Sequence, residues 1–267
     1  MPELVGYPFR PGGGPLLVGV HGAGGMLFLG KLAGHICGDV DYLALQGKAM
    51  DSTDGNHGFK SLVEVGDMMA EQIGMQAQHR PVCIFGRNSY FLLQVAYSLE
   101  SRGITPRATV AVDSIAPVFA EPMQPAKHPL QPAINQLRRL LRVPDHTGLG
   151  DWVKPNLNPS GKTNTRQRVF RAINHQLLDD WKPRQFQGRT ILLRSEEFSL
   201  NPDKIRHIET WSAIAQQLEI YVLPGTHRTL WNQPHVRALG AMLSRIACGA
   251  GEQRLLELEL GYSGSGL

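Results

Sequence analysis

The sequence predicts an α/β fold in which a mostly parallel central sheet is flanked by helices. Short apolar runs rich in β-branched residues alternate with longer stretches whose apolar positions recur at helical spacing, and this alternation is typical of a parallel sheet. Several of the apolar runs end directly in glycine or aspartate. A Pro-rich and Arg-rich segment interrupts the alternation, and we expect it to form a helical insertion over the sheet.

Length and composition indicate one domain over residues 1–267. This length accommodates one large α/β domain with an insertion but is short for two independent domains. Hydrophobic residues at 42% and charged residues at 19% are typical of a globular protein and exclude a disordered or fibrous one. No run approaches the roughly 18 apolar residues of a membrane span, and Met1-Pro2-Glu3 does not resemble a signal peptide, so we expect a cytoplasmic protein without a membrane partner.

Charge and cysteine content exclude two further classes. An excess of 27 Lys and Arg over 23 Asp and Glu is too small to indicate nucleic acid binding. Cys37, Cys83 and Cys248 are widely separated and form neither a CxxC pair nor a cluster with histidine at metal-ligand spacing. We therefore expect reduced, mostly buried thiols, no metal site and no bound cofactor.

The first strands are predicted from two apolar runs. Residues 15–21 (PLLVGVH) predict a buried strand that ends in the glycine turn at 22–25. A second strand is predicted at 40–45, and residues 60–73 have the periodicity of a helix. The chain thus begins with the strand-then-helix order of a parallel sheet.

The middle of the chain repeats this order. Residues 81–85 (PVCIF) predict a short buried strand, followed by Gly86 and by an amphipathic helix over 89–102. Residues 108–112 (ATVAV) predict another strand, with Asp113 just past its end. In open α/β sheets the carboxyl ends of the strands carry the functional site, so Gly86 and Asp113 are candidate site residues.

The predicted insertion covers about residues 119–188. It opens with four prolines and contains two amphipathic stretches, at 134–143 and 166–181. The remaining predicted elements resume the core: strands at 190–193 and 219–223, with a helix at 204–218 between them and a last helix at 234–247.

Candidate site residues follow the predicted strands in a definite order. The glycine turn comes first, then the turn at Gly86, then Asp113, and finally His227 after the strand that ends EIYVLP. This order is that of α/β-hydrolases, in which the acid and the base follow the nucleophile along the chain.

Several segments resemble type I thioesterase domains, which end polyketide or nonribosomal peptide assembly. YPFRPGGGPLLVGVHGAGG resembles the opening strand and oxyanion loop of that family, VAYSLESRG the helix after the nucleophile, VAVDSIAP the strand end that bears the acid, and LPGTHRTLWNQPHVRAL the segment that bears the base. The resemblance extends over about residues 7–243, with the insertion at the position of the family's lid. It implies an α/β-hydrolase fold and a thioesterase-like activity.

The sequence departs from the family at the nucleophile. When the helix ending SLESRG is aligned, the family's GxSxGG falls on residues 84–89, and Gly86 occupies the position of the serine. The resemblance implies that Asp113 is the acid and His227 the base, and that the backbone N–H groups of Ala23 and Arg87 form the oxyanion hole. Acyl-enzyme chemistry through residue 86 is excluded because glycine offers no hydroxyl.

Two routes around the missing nucleophile follow. In the first, His227 deprotonates water, or a hydroxyl, amine or carbon acid of the substrate, and Gly86 leaves space for that group. In the second, Ser89 replaces the nucleophile, but it lies one helical turn beyond the strand end.

Arg87 is either a solvent-facing residue at the helix start or a guanidinium that holds a carboxylate or an enolate. Gly22, Arg87 and Ser89 are the candidate substrate-binding residues.

The resemblance also implies the partners. Thioesterase domains act on chains held by an acyl or peptidyl carrier protein through a phosphopantetheine arm, and the arginines of the insertion fit an acidic carrier. We expect an enzyme that releases or cyclises such small-molecule acyl chains. The alternatives are a catalytically degenerate fold that binds or scaffolds a carrier protein, and a generic hydrolase of small esters, which Gly86 disfavours.

Overall fold

The structure is a computed structural model that describes residues 4–21, 26–47, 59–117, 177–178, 181–200, 208 and 210–249. Most of the insertion predicted at about 119–188 lies outside these residues, and so do both of its predicted amphipathic stretches except for residues 177–178 and 181. Gly22 and Ala23 lie outside them as well.

A seven-stranded sheet forms the centre of the described chain, with the strand order β1-β3-β2-β4-β5-β6-β7. β1 runs antiparallel to β3, and every other neighbouring pair is parallel. The strands are β1 (Leu4–Arg10), β2 (Leu16–Val20), β3 (Asp41–Gly47), β4 (Val82–Gly86), β5 (Ala108–Val112), β6 (Phe186–Ser195) and β7 (Ala215–Leu223).

Helices cover both faces of this sheet. They are α1 (Met26–Ala33), α2 (Leu62–Ala77), α3 (Ser89–Ser101), α4 (Glu196–Leu200) and α5 (His235–Ala247), with a further helical stretch at residues 210–214. Within the described ranges, no helix combines the length and the apolar character needed to cross a membrane.

The burial pattern explains why the sequences of the central strands are unbroken runs of apolar residues. Successive side chains of a strand point to opposite faces of the sheet. Leu16, Val18 and Val20 of β2 pack in the core beneath α2 and α3, whereas Leu17 packs in the core beneath α1 and α5. Both faces of β2 are therefore buried, as expected for a parallel strand between helical layers.

Most predicted elements agree with the structure, and one differs. The mostly parallel sheet flanked by helices is confirmed, with strands where residues 15–21, 40–45, 81–85 and 108–112 predicted them. The helix predicted to extend to residue 218 is wrong at its end, because Ala215–Leu223 forms β7 and pairs with β6. Local helix propensity at these residues is overridden by the strand pairing.

The cysteines differ from the prediction of mostly buried thiols. Cys83 is buried in β4, but Cys37 and Cys248 are exposed. Cys37 follows the turn after α1, and Cys248 is the C-cap residue of α5. Both lie at the end of a helix, where the chain leaves the core, so the apolar character of the neighbouring residues does not bury them.

Candidate active site

The candidate site lies at the edge of the sheet where the parallel strands end. Asp113 directly follows β5, Arg87 directly follows β4, and His227 lies in the loop between β7 and α5. Nδ1 of His227 is 3.4 Å from Oδ2 of Asp113. The structure thus brings together the two residues that the sequence placed after separate strands.

Asp113 is held in one orientation by the backbone. Its φ of 45° lies in the left-handed region, which non-glycine residues rarely adopt and which Asp tolerates better than most. Its Oδ1 accepts a hydrogen bond of 2.6 Å from the N–H of Ser195 at the end of β6, and its side chain is fully buried. Oδ2 is thereby aimed at the imidazole of His227.

The pKa of Asp113 reflects two opposing effects. Burial raises the pKa of this carboxyl group, because it removes water from the charged form. The nearby imidazole of His227 and the hydrogen bonds from Ser195 together lower it by more, so the pKa of Asp113 lies below its ordinary value. The carboxylate is therefore ionised at neutral pH and can stabilise a positive charge on His227.

The loop that carries His227 is fixed by two glutamates of α4. The backbone N–H of His227 donates to Oε2 of Glu197 at 3.1 Å, and the N–H of Gly225 donates to Oε2 of Glu196 at 3.4 Å. Gly225 has φ of 107°, and a Cβ there would lie 2.9 Å from Oγ1 of Thr229, so only glycine fits. Neither glutamate was predicted as a site residue. Their position directly after the end of β6 could have indicated that they lie at the site.

Arg87 contacts the other nitrogen of the imidazole. Its Nη2 atom is in hydrogen-bond contact with Nε2 of His227, and its Cζ atom lies 5.6 Å from the ring centroid of Trp231. Burial lowers the pKa of Arg87, while the nearby carboxylate of Asp113 opposes this effect. Because a guanidinium has only donors, Nε2 must be the acceptor, which assigns the imidazole proton to Nδ1 on the side of Asp113.

Gly86, the position aligned with the family's serine, is the last residue of β4. A Cβ added to it would lie 2.8 Å from the carbonyl oxygen of Val20, at the end of the neighbouring strand β2. A side chain at this position would therefore start against the backbone of β2. The group that faces Nε2 of His227 is instead the guanidinium of Arg87.

The turn between β4 and α3 also differs from a nucleophile elbow. In α/β-hydrolases the nucleophile sits on a sharp, strained strand-to-helix turn. Here neither Gly86, Arg87 nor Asn88 has a positive φ. Asn88 instead caps α3, and its side-chain oxygen accepts hydrogen bonds from the N–H groups of Tyr90 and Phe91.

The hydroxyl of Ser89 is hydrogen-bonded to the backbone rather than to the imidazole. Ser89 is buried, and its hydroxyl donates a hydrogen bond of 2.6 Å to the carbonyl oxygen of Ile115. This contact joins the start of α3 to the loop that follows Asp113. In this arrangement Ser89 positions the acid-bearing loop.

A second buried guanidinium lies near Asp113. Arg194 belongs to β6, donates to the carbonyl oxygen of Phe198 at 3.2 Å and has its Cζ atom 4.5 Å from the ring centroid of Phe198. Burial lowers the pKa of Arg194, and the charge of Asp113 opposes this. Arg194 belongs to no recognisable sequence motif, because it lies inside an apolar strand.

The described site thus contains the carboxylate of Asp113, the imidazole of His227 with its proton on Nδ1, and the guanidinium of Arg87. The guanidinium contacts Nε2, the nitrogen that would accept a proton if His227 acted as a base. This set can transfer a proton and hold an anion. In the parts of the chain that the structure describes, no group of three or more His, Cys, Asp or Glu residues is placed to hold a metal ion.

Comparisons with known proteins agree with this architecture. No protein-family model and no curated protein matches the sequence. The NocB thioesterase domain, solved as a covalent complex with a fluorophosphonate nocardicin G analog, is 19% identical over 93% of this chain and 100% of its own, with a TM-score of 0.61. The Vlm2 thioesterase domain is 20% identical over 92% of this chain and 98% of its own, with a TM-score of 0.59.

A third solved structure extends the likeness to a type II thioesterase. The type II thioesterase BorB from the borrelidin biosynthetic cluster is 16% identical over 91% of this chain and 97% of its own, with a TM-score of 0.59. At these identities the likeness establishes the fold. The predicted α/β-hydrolase fold, in the form found in thioesterase domains, is therefore confirmed.

Proposed function

We propose that this chain acts on acyl or peptidyl chains held as thioesters on a carrier protein, and that it releases or cyclises them by base catalysis without a serine acyl-enzyme. The observation that carries the proposal is the contact between Asp113 and His227, whose Nδ1 and Oδ2 atoms are 3.4 Å apart at the edge of a thioesterase-like sheet. His227 and Asp113 are proposed as the catalytic pair.

The solved relatives support the substrate class by analogy of fold. The NocB domain is bound to a nocardicin G analog, a Vlm2 domain carrying genetically encoded 2,3-diaminopropionic acid is bound with a dodecadepsipeptide, and BorB comes from the borrelidin cluster. These ligands and this cluster favour a peptide-like or polyketide acyl chain. The carrier protein and its phosphopantetheine thioester are part of our proposal for this chain.

The proposed reaction uses one nucleophile that comes from water or from the acyl chain itself. Nε2 of His227 removes a proton from water, or from a hydroxyl or amine of the chain, as the oxygen or nitrogen bonds to the thioester carbonyl carbon. The carbon–sulfur bond then breaks, and the departing thiolate takes the proton back from the imidazolium. Asp113 holds the imidazole and stabilises its transient charge. The backbone N–H groups of Ala23 and Arg87 are proposed to bind the oxyanion.

The described surroundings of His227 support the direct attack. Among the residues that the structure describes, no Ser, Thr or Cys side chain is hydrogen-bonded to His227. Gly86 has no side chain, and the hydroxyl of Ser89 donates to Ile115. We therefore propose that a water molecule or a substrate group supplies the attacking atom.

Release assays with a loaded carrier protein test the proposal. We expect His227→Ala to slow release by about 10²- to 10⁴-fold, the contribution of a positioned general base. Asp113→Asn should slow it as well, because the imidazole loses the carboxylate that stabilises its charge. His79→Asn is the matched control, since His79 is exposed, lies outside the site and has a left-handed φ that Asn tolerates.

Two results would contradict the proposal. Equal release by wild type and by His227→Ala would remove the base from the mechanism. An acyl adduct on the intact protein, detected by mass spectrometry during turnover, would show that a protein nucleophile exists and would exclude direct attack.

One observation favours a second candidate function, a degenerate fold that only binds a carrier protein. The guanidinium of Arg87 covers Nε2, the atom that a base must keep free. This alternative predicts that Asp113→Ala and His227→Ala still bind the carrier protein. It also predicts that both variants leave the amount of final product of the biosynthetic pathway unchanged. The proposed enzyme predicts that product formation falls in both variants.

A further inference from the structure

The contact between Arg87 and His227 has a functional consequence that rests on the proposed function. A general base needs the lone pair of its proton-accepting nitrogen, and here that lone pair faces Nη2 of Arg87. Asp113 occupies the opposite side of the ring. His227 therefore has the tautomer that a general base requires, but the guanidinium of Arg87 covers its Nε2 atom.

The surroundings of Arg87 allow the guanidinium to move. Its side chain is half-buried, and its guanidinium lies over the indole ring of Trp231. The side chain of His227 is 39% exposed, so the pair can be reached from solvent. A planar guanidinium can slide along an aromatic face while keeping that contact.

A carboxylate can displace the imidazole as the partner of Arg87. A carboxylate carries a charge opposite to that of the guanidinium and accepts two parallel hydrogen bonds from its planar fork, whereas the neutral imidazole offers a single lone pair. Within the described site, Asp113 and Glu197 each already accept a hydrogen bond from a backbone N–H. The competing anion would then come from the substrate.

We propose that Arg87 is a specificity-determining gate that selects acyl chains bearing a carboxylate. In the free protein its guanidinium covers Nε2 of His227. A carboxylate of the bound chain draws the guanidinium onto itself, which uncovers the base and anchors the chain in one step. Neutral chains bind without uncovering the base and are released slowly.

A series of dicarboxylic acid half-thioesters of increasing length, each compared with its neutral half-amide, tests the gate. We expect the wild type to release the best carboxylate chain roughly 10- to 100-fold faster than its amide, the range that one charged hydrogen bond supplies. Arg87→Gln should abolish this preference, because it slows release of the acid and speeds release of the amide. Arg87→Lys should retain part of the preference.

Arg228→Gln is the matched control. Arg228 is an exposed arginine next to His227 in the chain, so its removal changes the local charge without touching Nε2. It should leave the preference unchanged. A preference that survives in Arg87→Gln, or that disappears in Arg228→Gln, would overturn the gate while leaving base catalysis intact.

A second readout does not depend on turnover. Glutarate is titrated into protein whose histidine rings are labelled with ¹⁵N, and the signal of His227 is identified by its loss in His227→Ala. We expect the Nε2 signal to shift in wild type and to stay fixed in Arg87→Gln. No shift in wild type with any dicarboxylate of the series would overturn the gate. A shift without any catalysed release would support the anion site and contradict only the proposed function.

Discussion

Gly86 illustrates how a neighbouring backbone can determine a residue type at the site. A Cβ at this position would lie 2.8 Å from the carbonyl oxygen of Val20, a distance that side chains do not tolerate. β2 is hydrogen-bonded to β3 on one side and to β4 on the other, so Val20 cannot retreat without disturbing two strand pairs. Glycine is therefore required here by packing, whatever chemistry the site performs.

Substitution of Gly86 by serine should destabilise the protein and should not create a nucleophile. We expect the free energy of unfolding to fall by about 1–3 kcal/mol, the usual cost of forcing extra atoms into a packed site, as measured by urea denaturation. Gly34→Ser is the control, because nothing lies within 4 Å of a Cβ at Gly34. Unchanged stability of Gly86→Ser, or an acyl adduct at position 86, would contradict this prediction.

At the scale of residues, the sequence could predict which side chains meet but not how they are arranged. Asp113 and His227 could be placed together because both follow strands of one parallel sheet, and their catalytic role stays a prediction. The contact of Arg87 with Nε2 depends on a side-chain conformation that no sequence pattern encodes. The close approach of Val20 to Gly86 joins strands far apart in the chain and leaves no local signal.

At the scale of elements, the loop that carries His227 depends on α4 as well as on its own sequence. Glu196 and Glu197 accept hydrogen bonds from the backbone of Gly225 and His227, and so tie the loop to the end of β6. β6 also supplies the N–H of Ser195 to Asp113. One strand and its following helix thus position both the acid and the base.

The element that the sequence misassigned and the strand β1, to which it assigned no separate element, share a physical cause. Residues 215–218 (AQQL) favour a helix locally, yet they pair with β6 as the first residues of β7. β1 is an antiparallel edge strand, and its pairing with β3 is set by tertiary contacts rather than by an apolar run. Strands that depend on distant partners are the ones that local patterns predict least well.

The packing of α5 gives a prediction that opposes helix propensity. Gly240 lies within α5, and a Cβ there would be 2.3 Å from the carbonyl oxygen of His35, in the loop after α1. Although alanine is the better helix former, we expect Gly240→Ala to lower the free energy of unfolding by about 1–3 kcal/mol because the two backbones would have to separate. Thermal and urea denaturation measure this change.

Gly74→Ala provides the matched comparison within α2. A Cβ there would meet only the end of the Ile104 side chain, at 3.2 Å, which can adjust. We expect this variant to be neutral or more stable by up to about 1 kcal/mol. If Gly240→Ala and Gly74→Ala changed the free energy of unfolding in the same direction and by the same amount, helix propensity rather than close packing would determine stability at these positions.

At the scale of the whole molecule, the fold class was the most predictable feature. Both faces of the central parallel strands β2, β4 and β5 are buried beneath helices, and this double burial is what makes these strands visible as apolar runs. Stability also depends on charges that link strands across the sheet. Arg189 of β6 and Glu219 of β7 form a paired hydrogen bond, with atoms 2.6 and 2.9 Å apart.

Two carboxylates should make the protein sensitive to acid. The hydrogen bonds from Arg189 lower the pKa of Glu219 by more than burial raises it, and the pKa of Asp113 is also lowered in the folded state, where hydrogen bonds outweigh burial. A carboxyl group whose pKa is lower in the folded than in the unfolded state stabilises the fold above its unfolded pKa. That contribution is lost as the pH falls through the folded pKa.

Melting temperatures measured from neutral pH downwards test this linkage. Wild type should lose stability below roughly pH 4, where free carboxyl groups become protonated. Asp113→Asn and Glu219→Gln should be less stable than wild type at neutral pH but should lose less on acidification, so that the curves converge at low pH. Glu71→Gln, at an exposed position of α2, should follow the wild-type curve. Parallel curves for wild type, Asp113→Asn and Glu219→Gln would show that neither carboxylate contributes to the acid sensitivity of the fold.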